Sequence, residues 1–222
     1  MSEALPLFPL NTPLVPGLVL PLHIFEPRYR EMVRDLMARE TDEEREFGIV
    51  AVREGHDVDQ EGVDAVFPVG VTAVLRQVEE HDDGRFDIVT TGARRFRLKS
   101  LDVREPLARA EVDFLAEVSG PADAALAVRV GTRFRDYRAV LGGQVQAAVG
   151  EDEIPADPAV LSYLVTAAMV LPLDERQELL AAPTIADRLD LARRLLLRET
   201  TLISELSAMP AVDVPGTLPS VN

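Results

Sequence analysis

The stretch FPLNTPLVPGLVLPLHIFEPRYR, residues 8–30, holds five prolines and closes on His23, Glu26, Arg28 and Tyr29. A histidine close to a glutamate can exchange a proton, and an arginine can grip a carboxylate or other anion, so these are residue types of acid–base or recognition chemistry. Three other spots raise a similar question. Lys99 stands beside Ser100, the two side chains of a serine–lysine hydrolase. GHDVDQEGVD, residues 55–64, sets Asp57, Asp59 and Glu61 before Gly62, as a calcium loop begins. Arg94, Arg95, Arg97 and Lys99, with Arg104 and Arg109, could form a basic patch.

The elements that must position these residues narrow the choices. Prolines 6, 9, 13, 16 and 21 exclude a helix before residue 22, so the first segment is extended with turns. Glu26-Pro27 then reads as a helix start, because proline at the first helical position removes a donor that has no partner there. Tyr29, Met32, Val33, Leu36 and Met37 follow at helical spacing and make one apolar face. A carboxylate at a helix N-terminus is favoured by the dipole and can accept backbone N–H groups, which supplies a structural reason for Glu26. On that reading Arg28 pairs with Glu26 or braces a loop, and Phe25 and Tyr29 anchor the helix in the core. The second reading of the corner is part of a recognition surface, since loops on a rigid β scaffold often carry binding.

From Phe47 to Leu115 the apolar period is two, with strands expected at 47–53, 67–80, 85–91, 93–103 and 107–115 and a hairpin turn at His81-Asp82-Asp83-Gly84. A half-buried antiparallel sheet curled into a small barrel is implied. After Ser119-Gly120-Pro121 the period becomes 3.6. Leu126, Val130, Phe134, Tyr137 and Leu141 line one helix, Asp157-Pro158 opens another, and Thr184 with Asp187 resembles a capping box for a long last helix. The fold class expected is therefore α+β, a β-rich half with one amphipathic helix followed by a helical bundle. The organisation expected is residues 1–118, a helical part 119–209, and a flexible tail 210–222.

Composition excludes several classes. With 47% hydrophobic residues the 222-residue chain can bury a core, and with no cysteine it has no disulfide, thiolate metal site or cysteine nucleophile. Thirty-eight acidic against 23 basic residues give a formal charge of −15, which repels phosphates and disfavours nucleic acid as a partner. The start MSEALPLF lacks a basic leader and the apolar run 161–173 is too short to span a bilayer, so no membrane is expected and the cytoplasm fits best.

LPLFPLNTPLVPGLVLPLHIFEPRYREMV, the strand FGIV, the segment PVGVTAVL and the hairpin DGRFDIVTTGARRFR, in this order and spacing, resemble the LON substrate-binding domain family, the N-terminal domain of ATP-dependent Lon proteases. ERQELLAAPTIADRLDLARRLLLRE is more loosely similar to the family's helical extension. The resemblance implies a PUA-like pseudo-barrel for the β half and recognition of protein substrates. It also implies that the chain stops where the ATPase would begin. In agreement, no GxxxxGK[ST] phosphate loop is present, and Lys99 is the one lysine of the chain.

The expectation that follows is a non-catalytic module binding unfolded or partner polypeptides, which it could hand to a protease or chaperone, with RNA binding through the PUA-like fold as the alternative. Lys99 alternates with Arg95 and Arg97 on one strand face while Ser100 points to the other, which argues against a catalytic dyad. The acidic loop places Pro68 where a calcium loop needs glutamate, and His23, His56 and His81 share no metal-ligand spacing, so neither cofactor nor metal is expected. Candidate peptide-binding residues are Phe8, Leu10, Leu14, Val15 and Leu18, some of them left at the surface by a proline-rich segment that cannot form a central strand, with His23, Glu26 and Arg28 beside them.

Overall fold

A computed structural model describes residues 3–41, 45–103, 107–142 and 154–208, and the expected tail 210–222 lies outside them. In chain order its elements are β1 (Glu3–Leu10), β2 (Val19–Ile24), α1 (Pro27–Met37), β3 (Glu46–Ala51), α2 (Val58–Glu61), β4 (Val69–Glu80), β5 (Phe86–Asp102), β6 (Arg109–Phe114), α3 (Asp123–Leu141), α4 (Pro158–Ala168), α5 (Leu173–Ala181) and α6 (Ile185–Ala208). No helix among the described residues is long and apolar enough to cross a membrane.

The strands close on themselves. Order β5-β4-β3-β1-β6 is completed by pairing of β6 back to β5, while β2 lies along the first half of β5. Closure gives every strand of the ring two neighbours, and β2 adds a flank beside β5. All pairs are antiparallel except β1 with β3.

Two expectations about the strands need correction. The proline-rich start does contribute a strand inside the ring: Glu3–Pro6 of β1 pair with β6 and Leu7–Leu10 pair with β3. β1 changes ladder partner at its midpoint, where Leu7 pairs with Gly48 and donates its N–H to the Ala108 carbonyl at 2.8 Å, and the flank that each half leaves unpaired tolerates Pro6 and Pro9, which have no N–H to donate. The strands expected at 85–91 and 93–103 are one, β5, which changes partner from β2 to β6 along its length and carries bulges opposite β4.

Among the described residues, three apolar clusters hold the molecule. Inside the ring, Phe96 packs with Leu5, Leu7, Val50, Leu98 and Val112. Gly48 and Gly70 make room for that ring: a Cβ on Gly70 would overlap both the Phe96 ring and the Ile49 carbonyl oxygen. Outside the ring, α1 lays Tyr29, Met32, Val33 and Leu36 over Phe47, Ile49, Val71, Ala73, Phe86 and Ile88. The helices build a third cluster from Val130, Phe134, Tyr137, Leu161, Val165, Leu189 and Leu196. Tyr163 of α4 and Leu180 of α5 belong to the outer barrel cluster, so helices and barrel share buried surface.

Helix ends follow the chemistry of their residues. Asp157 caps α4, its carboxylate accepting the N–H of Ala159 (2.8 Å) and Val160 (3.1 Å), and Pro158 follows. Thr184 accepts the Asp187 N–H at 3.1 Å and donates its hydroxyl to the Asp187 carboxylate at 2.7 Å. α3 ends on Gly142 with a left-handed φ of 51°. At α1, Pro27 takes the first position, yet the Glu26 side chain caps nothing.

Candidate functional site

At the corner, the Glu26 carboxylate accepts Arg28 Nε at 2.9 Å, and Arg28 Nη1 reaches Asp59 at 3.1 Å, so the arginine both pairs with its neighbour and braces the loop before β4. Asp57 caps α2 by accepting the Asp59 N–H at 2.9 Å. The acidic stretch 55–64 is thus spent on a short helix and an ion pair. Tyr29 is buried against Phe8, ring centroids 4.3 Å apart, but Phe25, expected in the core, is 61% exposed. His23 is engaged elsewhere, its Nδ1–H donating to Asp87 Oδ1 at 2.6 Å. His23 and Glu26 therefore form no proton-exchanging pair.

The proline-rich candidates divide. Leu14 and Val15 are buried in the outer cluster, Phe8 and Leu10 are half-buried against it, and Leu18 is at the surface. The loop that carries Leu14, Val15 and Leu18 is pinned to the barrel. Gly17 N–H donates to the Gly92 carbonyl (2.8 Å), Gly92 N–H donates to the Leu18 carbonyl (2.9 Å), and Leu18 N–H turns back to Val15 (3.1 Å). Gly92 has no space for a side chain because the Val15 carbonyl lies against it, and Gly17 holds a φ of 82°. Fixed φ at the prolines and these bonds leave the loop little freedom to lose on binding.

This loop forms one wall of an apolar groove. Val15 to Val19 face Ala159, Val160, Tyr163, Leu164 and Ala167, which share one side of α4, across a cavity of about 620 Å³. Leu18 is 36% exposed, Val19 58% and Val160 53%. The opposite side of α4, Leu161 and Val165, is buried among the helices, so α4 is apolar nearly all round with one face left to the groove. Valines and leucines held in water on two facing walls can gain by covering apolar side chains of a ligand, roughly 1.5–3 kcal/mol for each Leu- or Phe-sized group fully buried. None of the groove residues is a nucleophile or a titratable acid or base other than Tyr163.

Tyr163, the floor, is fixed from behind. Its hydroxyl donates to Glu117 Oε1, the same oxygen that accepts Arg95 Nε at 2.7 Å, while Glu117 Oε2 accepts Arg188 Nη1 and Nη2 at 3.2 and 3.1 Å. Arg188 lies over the Tyr163 ring at 4.0 Å and also donates to Ser162 Oγ at 3.0 Å. Arg95 donates two further bonds, to the carbonyls of Leu180 and Ala182, both 2.8 Å. Burial alone would raise the Glu117 pKa, but the Tyr163 hydrogen bond and the charges of Arg188 and Arg95 together hold it below the usual value. Burial is also the largest influence on Tyr163 and, with the Glu117 bond, pushes its phenol up.

That network corrects the basic strand face. Arg95 does alternate with Phe96, but α4 and α5 cover its side, and it is 2% exposed rather than solvated. Arg94 pairs with Glu46 and lies over the Phe114 ring, and Lys99 pairs with Asp113 at 3.6 Å. Arg97 and Arg109 stay exposed, and Arg104 lies outside the described residues. Sequence reasoning missed the α4 wall, because a helix facing a groove and a helix facing a core show the same apolar period.

A family model described as the ATP-dependent protease La (LON) substrate-binding domain matches residues 4–198. A Lon protease of Anaeromyxobacter dehalogenans (strain 2CP-C) is 25% identical over 207 residues, 91% of this chain and 24% of that protein. Lon protease 2 of Sorangium cellulosum (strain So ce56) is 31% identical over 117 residues, 52% of this chain and 14% of that one. The chain therefore spans about a quarter of the length of the first of these relatives. Among solved structures, a Lon N-terminal domain protein from Xanthomonas campestris superposes with a TM-score of 0.60 at 23% identity, covering 94% of this chain and 99% of that one. The N-terminal domain of a Mycobacterium avium complex Lon protease gives 0.64 at 19% identity, covering 90% and 98%. At these identities the two structures speak for the fold.

Proposed function

Because the chain belongs to the LON substrate-binding domain family, we propose that it is a non-catalytic module that binds unfolded or partner polypeptides, and that the groove between residues 15–19 and α4 receives their apolar side chains. The observation that carries this is the groove itself: two rigid walls, both apolar, both partly in water, with a tyrosine floor locked in orientation. Folded proteins bury their Leu, Val and Phe side chains and unfolded ones expose them, so such a surface selects by folding state with little regard to sequence. Leu18 and, behind it, Val15 remain from the candidates named above. Leu14 supports the wall from the core, and Phe8 and Leu10 pack beneath it. Glu26 and Arg28 serve the corner, and His23 pairs with Asp87 on β5. The closed ring of strands supports a PUA-like reading of the β half, with the helical part beginning near residue 119 and packed on it through Arg95, Tyr163 and Leu180.

Affinity should be micromolar or weaker, about −8 kcal/mol or smaller in magnitude, since two or three buried side chains must offset the ordering of a flexible ligand. The test is anisotropy titration of a fluorescent, reduced and carboxymethylated protein at low and high salt. Val160→Asp and Leu18→Asp, both at exposed positions, should weaken binding at least tenfold while circular dichroism stays unchanged. Arg97→Glu should leave it alone. If binding instead collapses with salt and with Arg97→Glu, and RNA competes, the basic strand is the working surface and the groove reading is wrong.

A further inference from the structure

At the β2 flank of the sheet, side chains from β2, β4 and β5 come together, with His23 far along the chain from the rest. β2 and β5 pair with His23 opposite Asp87, and β4 and β5 pair with Glu79 opposite the same Asp87, so these three positions form one row across three strands. The β4–β5 turn adds His81. It is closed by His81 N–H to the Arg85 carbonyl (2.9 Å) and by Gly84, at a φ of 77°, donating back to His81 (2.8 Å). His81 Nε2 then lies 2.7 Å from Asp87 Oδ2, on the other side of the carboxylate from His23 Nδ1 at 2.6 Å.

We propose that His23, His81 and Asp87, with Glu79 beside them, bind one divalent transition-metal ion of the zinc or nickel class. One ligand atom from each of the first three lies within 4.8 Å of the other two. Two imidazoles and a carboxylate are the donors such ions prefer over calcium or magnesium, which take oxygen. With metal–ligand bonds of about 2.0–2.2 Å, neighbouring ligands of a tetrahedral ion stand roughly 3.3 Å apart. The present N···O separations of 2.6 and 2.7 Å therefore need to open by less than about 1 Å. The side chains can do so cheaply, being 45%, 35% and 50% exposed for His23, His81 and Asp87. Each imidazole N–H bond to Asp87 would be exchanged for a bond to the ion. A surface cavity of about 640 Å³ lined by His23, Glu79 and Asp87 gives the ion a way in and leaves room for water or Glu79 in the remaining position. Arg85, which contacts His23 Nε2 at 3.2 Å, is also held by Asp83 at 2.7 Å and can stay there when His23 turns to the ion.

A bound ion would staple β2 to the β4–β5 hairpin, independently of any ligand in the groove. The test uses tag-free, chelator-treated full chain titrated with zinc chloride or nickel chloride alone in a calorimeter, with thermal melting alongside. One equivalent should bind with a micromolar or tighter dissociation constant and raise the melting temperature by several degrees. His81→Ala and Asp87→Asn should each weaken binding at least tenfold. His56→Ala, whose imidazole pairs with Glu61 elsewhere, should not. Cobalt substitution should give d–d absorption that His81→Ala abolishes. Absence of saturable binding below millimolar metal, or equal binding by His81→Ala and the parent chain, would overturn the assignment.

Discussion

Removing the Glu117 carboxylate should be among the most damaging single changes outside the apolar clusters. Glu117→Ala leaves Arg188, fully buried, and Arg95, 2% exposed, without their counter-ion, and leaves the Tyr163 hydroxyl without its acceptor. Deleting one partner of a buried ion pair costs about 3–5 kcal/mol. Two features bring this case to the lower end. The Glu117 side chain is itself 35% exposed, and both arginines keep other acceptors, Leu180 and Ala182 for one and Ser162 for the other. A loss of about 3 kcal/mol is expected. At roughly 2–4 °C per kcal/mol for a chain of this size, the melting temperature should fall by about 6–12 °C.

Glu117→Gln, which keeps an acceptor, should lie between. The pH dependence separates charge from shape. Glu117 has its folded pKa lowered beneath the ordinary 4.5, so its contribution is full above that value and is lost as pH falls through the folded one. Urea unfolding from pH 7 down to pH 3 should therefore show the parent chain losing more stability than Glu117→Gln over that acid range. A Glu117→Ala cost under about 1 kcal/mol, or parallel acid limbs for parent and Gln variant, would refute the view that the carboxylate is the ionic centre of the helix–barrel joint.

Gly70→Ala should destabilise the chain by about 1–3 kcal/mol in urea, because its methyl overlaps the Phe96 ring and the Ile49 carbonyl in a filled barrel. Thr184→Ala should cost about 1 kcal/mol through loss of the Asp187 N–H acceptor at the start of α6, without touching polypeptide binding, as melting and anisotropy together would show.

Where local chemistry decides structure, the sequence was legible. Asp157-Pro158, Thr184 with Asp187, Pro27 and the turn at His81–Gly84 stand where their residue types place them. Alternation also placed Arg95 on the right face of its strand. It could not reveal that α4 and α5 lie over that face, because cover comes from residues far along the chain. The same blindness hid the meeting of His23, His81 and Asp87, whose spacing follows from strand register rather than from any short motif. Prolines in β1 misled for a subtler reason: the rule against proline in a central strand assumes bonds on both flanks, and β1 changes flank at its midpoint. In the groove, the sequence named Leu18 only as one of five residues of which some would stay at the surface, and both its exposure and the opposite wall needed the tertiary fold.

The position of β1 has a kinetic meaning. Glu3 finds its partner at Val112, and Leu7 finds Gly48, so β1 joins two strands made after it on the ribosome, one of them much later. Until β6 emerges the ring cannot shut, and the first half of β1 waits as an unsatisfied ladder. Contacts this distant are slow to form, which places folding toward the millisecond-to-second range of β-rich domains rather than the microseconds of helical ones. During that interval Leu5 and Leu7, which end up inside the ring, are open to other chains. If the groove receives exposed apolar segments as proposed, the protein passes through a stage in which it displays one of its own.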